Sequence, residues 1–177
     1  MRSFIALLRG INVGGKTSIP MAELRALAEG IGLSDVRTYI QSGNLLFDAE
    51  QPDGLEQRLE EAIGKRFLPV PVIVRSADEW AGYAGSNPFP DAAEAEPNRL
   101  MMMLSKRTPE AGAAAALQER AKDGERVALA GGALWIHYPG GSGTSKLSPS
   151  LIDRLVGSPA TARNWRTVLK IGEMLGT

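Results

Sequence analysis

Four stretches of this chain combine residue types at spacings that suit chemistry. The first is Arg9-Gly10-Ile11-Asn12-Val13-Gly14-Gly15-Lys16. It follows an apolar run and precedes a helical pattern. A Gly-rich loop in that position aims backbone N–H groups at one point, and flanking cations add charge there. Phosphate or carboxylate fits such a loop, with Arg9, Asn12, Gly14, Gly15 and Lys16 as candidate contacts. The spacing before Lys16 excludes a Walker A loop, and G-x-G-x-x-G is absent. The plainer reading is a turn in which Gly14 and Gly15 supply positive φ.

The second stretch is Gln41-Ser42-Gly43-Asn44, whose plain reading is a tight hairpin turn. Its functional reading makes Gln41, Ser42 and Asn44 a polar patch facing the first loop. The third is Gly140-Gly141-Ser142-Gly143-Thr144-Ser145-Lys146. It resembles a P-loop in composition only, because Ser145 stands where Gly is needed and Leu147 where Ser or Thr is needed. Ser145 and Lys146 are its candidates for an anion, against a flexible linker as the alternative. In the fourth, Thr161-Ala162-Arg163-Asn164-Trp165-Arg166, a helix capped by Thr161 would set Arg163 and Arg166 three apart. Arg163 and Asn164 are the candidates there, and a solvated face is the alternative.

Other chemistry is poorly provided for. The 177 residues include no Cys and one His, which removes disulfides, iron–sulfur clusters and Cys nucleophiles. His137 shares a strand face with Trp135 and reads as a core histidine more readily than a catalyst. Asp91, Glu94 and Glu96 sit in a Pro/Ala loop and read as solvated charge, so no metal site is expected. No cofactor is implied. Twenty basic side chains balance twenty acidic ones, so bulk charge does not recruit nucleic acid or a membrane. Residues 1–88 carry −2 and residues 89–177 carry +2.

The elements that must position these stretches follow from periodicity. Phe4–Leu8 reads as a strand buried on both faces. Met21, Leu24, Leu27, Ala28 and Ile31 recur at helical spacing. Val36, Thr38 and Ile40 alternate as a strand, and Leu45–Phe47 returns as its partner. Asp53 with Glu56 gives a capping-box pattern before a second helix, and Val70–Val74 closes the unit. Ser76 with Glu79 caps a short helix. The pattern restarts at Leu100–Leu104, with a helix from Thr108-Pro109-Glu110, a hairpin through Gly131-Gly132, a helix after Ser148-Pro149 and a last helix from Thr161.

The fold class is therefore α+β: duplicated ferredoxin-like halves, β-α-β-β-α-β then β-α-β-β-α-α, as antiparallel sheets with helices packed on one face. The expected divisions are 1–85, a linker at 86–98, and 99–177. In such a sheet strands one and three are the central antiparallel pair. Arg9 and Asn44 therefore belong at the same end.

Five ordered segments carry a resemblance. Leu8–Lys16, Tyr39–Asn44, Asn87-Pro88-Phe89-Pro90, Ser145-Lys146-Leu147 and Thr161–Trp165 resemble the signature segments of a widespread bacterial family, domain of unknown function 1697. The resemblance spans essentially the whole chain. It implies a duplicated α+β fold and supplies no activity.

The expected function is binding of a phosphate- or carboxylate-bearing small molecule through the Gly-rich loops. A protein-interaction or scaffolding module is the alternative, and an RNA- or single-strand-binding module ranks below both, since no paired aromatics mark the central strands. Oligomeric state is left open by the sequence. The run Phe4–Leu8 is too short for a signal peptide and is broken by Arg9, and no segment approaches the roughly 20 apolar residues of a membrane span. A cytoplasmic protein is expected.

Overall fold

The computed structural model describes residues 1–15 and 17–177. The chain forms two compact units, Met1–Trp80 with Glu173–Thr177, and Ala81–Gly172. It is an α+β protein with two four-stranded antiparallel sheets.

The first unit contains β1 (Arg2–Leu8), α1 (Met21–Gly30), β2 (Ser34–Tyr39), β3 (Asn44–Ala49), α2 (Leu55–Arg66) and β4 (Val72–Ser76). Its strand order is β2-β3-β1-β4. β1 lies between β3 and β4 and buries both faces, as its unbroken apolar run requires. Phe4, Ala6 and Leu8 join Leu45 and Phe47 of β3 in a core with Leu24 and Ala28 of α1 and Leu55, Leu59 and Ile63 of α2. Phe4 and Phe47 are register partners, and their rings stack at 5.8 Å. Each such side chain contributes about 1.5–3 kcal/mol by leaving water.

The helix α3 (Ala77–Ala84) follows β4. Its capping box forms as its residues predict: Glu79 Oε2 accepts from Ser76 N–H at 2.8 Å, and Ser76 Oγ accepts from Glu79 N–H at 3.2 Å. The Asp53 pattern does not form its box. Gly54 takes the N-cap position of α2 with φ 70, and no side chain caps that end. Glu56 is engaged elsewhere. Its Oε1 accepts from Val74 N–H at 2.9 Å, while Glu60 Oε1 accepts from Val72 N–H at 2.9 Å. β4 is an edge strand, so two carboxylates one helical turn apart satisfy donors that would otherwise face water or another strand.

The second unit contains α4 (Pro90–Ala95), β5 (Leu100–Ser105), α5 (Ala113–Arg120), β6 (Arg126–Ala130), β7 (Ala133–His137), α6 (Pro149–Val156), β8 (Ala160–Asn164) and most of α7 (Trp165–Leu175). Its strand order is β6-β7-β5-β8. Met103, Leu134, Ile136 and Tyr138 pack with Ala113, Leu117, Ile152 and Val156. Ser148 Oγ caps α6 through Leu151 N–H, Pro149 starts the helix, and Gly157 ends it at φ 93. Helix side chains again cover sheet edges. Gln118 of α5 donates to Glu125 C=O at 2.8 Å and accepts from Val127 N–H at 2.9 Å, and Asp153 of α6 accepts from Ala160 N–H at 3.0 Å.

Three expectations for this half need correction. Thr161 does not cap a helix: residues 160–164 form β8, paired with β5 from Met101↔Asn164 to Ser105↔Ala160. The segment ATARN lacks an apolar strand signature, but β5 has an open edge that it satisfies. The order is therefore β-α-β-β-α-β followed by α7, not β-α-β-β-α-α. Residues 90–95, expected as a loop, form α4 because Pro90 suits a first helical turn. α5 starts at Ala113 rather than at Thr108-Pro109, since Glu110 N–H is donated to Val156 C=O at 3.1 Å and the chain there follows the end of α6.

Candidate functional site

Three connections meet at one end of the first unit: residues 9–20 after β1, residues 40–43 between β2 and β3, and residues 67–71 before β4. Backbone hydrogen bonds knit them together. Leu8 N–H donates to Gly43 C=O at 2.9 Å and Arg9 N–H to Pro71 C=O at 3.0 Å. Asn12 adds the cross-link between the first two. Its Nδ2 donates to Gln41 C=O at 2.8 Å and to Ile19 C=O at 3.0 Å, and its Oδ1 accepts from Ile19 N–H at 2.9 Å. Its own N–H donates to Thr17 C=O at 2.7 Å. The Arg9–Gly15 loop and the Gln41–Asn44 corner are thus brought together.

The backbone at this end is unusual. Asn12 has φ 54, Gly10, Gly14 and Gly15 have φ 67, 60 and 72, and Ile40 has φ 51. A β-branched residue in the left-handed region is strained by about 1–3 kcal/mol. Gly43, at φ 90, is required twice over. A Cβ there would lie 2.8 Å from both Ile11 Cδ1 and Leu8 Cβ.

The candidate residues fall into two groups. Asn12 and Asn44 turn their polar atoms into the framework. Asn44 is fully buried, and its Nδ2 donates to Tyr39 C=O at 2.9 Å and Ser42 Oγ at 3.2 Å. Burial requires the amide atoms of Asn44 to find internal partners, and Asn12, half-buried, directs its amide to the same framework. Gly14, Gly15 and Gln41 are exposed, and Arg9 and Ser42 are half-buried. Lys16 lies outside the described residues.

The second-unit candidates have separate tasks. Ser145 Oγ donates to Glu125 Oε1 at 2.6 Å and accepts from Leu147 N–H at 3.1 Å. Lys146 is exposed. Arg163 is buried on β8, where Nη1 donates to Thr161 Oγ1 at 3.0 Å and Ala162 C=O at 2.8 Å. Burial lowers its pKa to about 10. Asn164 Oδ1 accepts from Thr167 N–H at 3.0 Å, so it caps α7. Arg163 and Arg166 therefore do not share a helix face. One is buried on a strand and the other is exposed on a helix.

Two polar clusters were not expected. Glu125 is buried, and its carboxylate accepts from Ser145 and from Asp123 N–H at 2.8 Å. Burial pushes its carboxyl up, but these hydrogen bonds outweigh that and hold it below the ordinary value. Tyr138 is raised by burial and then by the Glu125 charge. In the other cluster, His137 Nε2 lies 2.7 Å from Glu96 Oε2, and Arg126 Nε and Nη2 lie 3.3 and 3.2 Å from Nδ1. A guanidinium cannot accept, so Nδ1 accepts and Nε2 carries the proton toward Glu96. Arg126 also meets Asp91 at 2.8 Å and stacks over Phe89, and its hydrogen bond lowers the Asp91 pKa. Every member has a partner, so the cluster fastens α4 to the β6–β7 hairpin. Among the described residues no group of three His, Asp or Glu side chains is placed to hold a metal.

The model of the protein family of unknown function DUF1697 matches residues 1–135. The chain belongs to the DUF1697 family. The matched region includes the first loop, the Gln41–Asn44 turn and the Asn87–Pro90 segment. A solved structure, described as that of conserved bacterial protein SP0830 from Streptococcus pneumoniae, is similar over 100% of this chain and 99% of that one, at 25% identity and a TM-score of 0.74. No curated protein matches. Neither comparison supplies a reaction. No helix among the described residues is long and apolar enough to cross a membrane.

Proposed function

We propose that the loop end of the first unit binds a small molecule bearing a phosphate or carboxylate. The observation that carries this reading is the Asn12–Gln41 hydrogen bond, which joins the Gly-rich loop to the polar corner. Residues 9–20, 40–43 and 67–71 contain two cations, Arg9 and Lys16, and no carboxylate. An anion at this end therefore meets no like charge from its own loops. Arg9, Lys16, Gln41, Ser42 and the amides of Gly14 and Gly15 are the proposed contacts, with Asn12 and Asn44 holding the frame. If chemistry follows binding, positioning and electrostatic stabilisation are the modes these residues support. We also read the two units as a degenerate duplication of a ferredoxin-like arrangement, supported by their common element order and common strand order.

A second reading is favoured by one feature of the same end. Val13, Ile40 and Leu68 are 65%, 48% and 54% exposed. Three large apolar side chains on one set of connections suit a protein partner, and scattering over a concentration series tests self-association.

Amide chemical-shift mapping on the whole chain tests the anion reading, with inorganic phosphate, acetate and a nucleoside monophosphate as probes. Saturable shifts at Val13–Gly15 and Gln41–Ser42, weakened about tenfold in Lys16→Ala, are expected. Unmoved amides with all three probes would remove the site.

A further inference from the structure

In the second unit His137 stands between two pairs of opposite charge. On one side its Nε2 lies 2.7 Å from Glu96 Oε2. Arg99 holds that carboxylate from behind, with Nη1 3.4 Å from Glu96 Oε1, and also donates to Pro139 C=O. On the other side Nδ1 lies 3.3 and 3.2 Å from Nε and Nη2 of Arg126. Arg126 is forked onto Asp91 at 2.8 and 3.3 Å and lies 4.7 Å over the Phe89 ring. The charged groups around the imidazole are thus Arg126 from β6, Asp91 from α4, and Glu96 and Arg99 from the segment between α4 and β5. Its register partner on β5, Leu100, carries no charge. Two cations and two anions surround a neutral ring.

This arrangement has an opposite response to a proton on its two sides. Nδ1 now accepts from Arg126, and Nε2–H points at Glu96. A proton added to the ring must go to Nδ1, which turns the acceptor into a donor aimed at a guanidinium. Two N–H groups on cations would then face each other at 3.2 Å, while the Nε2–H contact with Glu96 becomes an ion pair. The ring is buried, so water screens neither effect strongly. Arg126 has the stronger partner in Asp91, a charge-assisted fork against a neutral nitrogen, and stays with it. Asp91 and Phe89 reach the β6–β7 hairpin through Arg126. Glu96 keeps its own ties, because Arg99 N–H donates to Glu96 C=O at 2.8 Å and Tyr138 N–H to Arg99 C=O at 2.8 Å.

We propose that His137 is a proton-operated latch on α4. Protonation at Nδ1 releases Arg126, and with it Asp91 and Phe89 at the start of the helix, while Glu96 just beyond its end stays fastened.

The test is NMR of the full chain between about pH 8 and about pH 5, the interval in which histidine ordinarily changes charge. Ring nitrogen shifts should show the neutral Nε2–H tautomer at the alkaline end and the doubly protonated ring at the acid end. Arg126 Nε–H and the amides of Phe89–Ala93 should move with the same midpoint as the ring. Ala93 N–H, which donates to Phe89 C=O at 3.0 Å, should lose protection from exchange at least about tenfold after correction for the intrinsic rate. Glu96 N–H and Tyr138 N–H should keep theirs. The bond from Arg126 holds the Asp91 carboxyl below its ordinary value, so Asp91 does not imitate the transition in this interval. His137→Gln can still donate toward Glu96 but takes up no proton, and should abolish the transition. Glu96→Gln removes the charge that favours the doubly protonated ring, and should move the transition to lower pH. A ring that stays neutral down to about pH 5 overturns the proposal. So does a ring that titrates while Arg126 Nε–H and Phe89–Ala93 stay still, or a transition that persists in His137→Gln.

Discussion

Asn12 Nδ2 donates to the carbonyl of Gln41 at 2.8 Å, across 29 residues of sequence. The same amide group also pairs with both backbone atoms of Ile19. One side chain thus fixes the loop after β1 to itself and to the β2–β3 turn.

Replacing Asn12 by Ala removes three hydrogen bonds at a residue with φ 54. The expected loss is about 2–4 kcal/mol, from unsatisfied backbone partners and left-handed strain. Asn12→Gly keeps the backbone freedom but not the bonds and should fall between wild type and Asn12→Ala. Urea unfolding midpoints measure both. Equal stability of all three proteins would mean that the brace carries no energy.

Gly43 and Gly14 separate two reasons for glycine. At Gly43 a Cβ would lie 2.8 Å from Leu8 Cβ, with φ 90 adding strain. At Gly14 φ is 60, but a Cβ would meet nothing within 4 Å. Gly14→Ala should therefore destabilise by about 1 kcal/mol, and Gly43→Ala by several times more, since core overpacking adds about 1–3 kcal/mol. Comparable midpoints for the two variants would contradict the close approach.

Much of the fold is legible in the sequence. Phe4–Leu8 announced a strand buried on both faces, and the two-residue turn Gly131-Gly132 set Ala130 opposite Ala133 and Arg126 opposite His137. The Arg126–His137 contact follows from that register, yet it was not among the expectations drawn from the sequence. Ser148-Pro149 and Gly157 bounded α6 because those signals are local. The misses were non-local. ATARN is a strand only because β5 offers it an edge, and Asp53 lost its cap because Glu56 reaches β4 instead. At the candidate site, residue types predicted which loops would meet. They did not reveal that Asn12 and Asn44 face inward, since an amide that braces a loop and one that holds a ligand are the same residue in a sequence.

The carboxylates over β4 make a prediction about edges. Glu56 and Glu60 accept from Val74 and Val72 N–H. In Glu56→Ala/Glu60→Ala those amides should exchange with deuterium at least about tenfold faster, in line with loss of a hydrogen bond of about 1.5 kcal/mol. The bared edge should also promote association on concentration. Exchange at Val72 and Val74 that matches wild type would show that the carboxylates do not protect the strand.

Glu125 predicts a pH dependence. Burial alone would raise its pKa, yet the Ser145 hydroxyl and the Asp123 N–H hold it below the ordinary carboxylate value. A group with a lowered native pKa binds fewer protons when folded. Its stabilisation is therefore complete above the unfolded pKa and is lost as pH falls through the native one. Ser145→Ala removes the 2.6 Å donor and should raise the Glu125 pKa. At neutral pH the variant should be less stable by about 1–3 kcal/mol, the range for a hydrogen bond to a charged group. As pH falls and Glu125 protonates in both proteins, the gap should narrow. What remains is the smaller, pH-independent loss of the Leu147 N–H to Ser145 bond. Urea midpoints at neutral pH and at successively lower pH decide the matter. A gap that stays constant or widens toward acid would show that Ser145 does not act through the Glu125 charge.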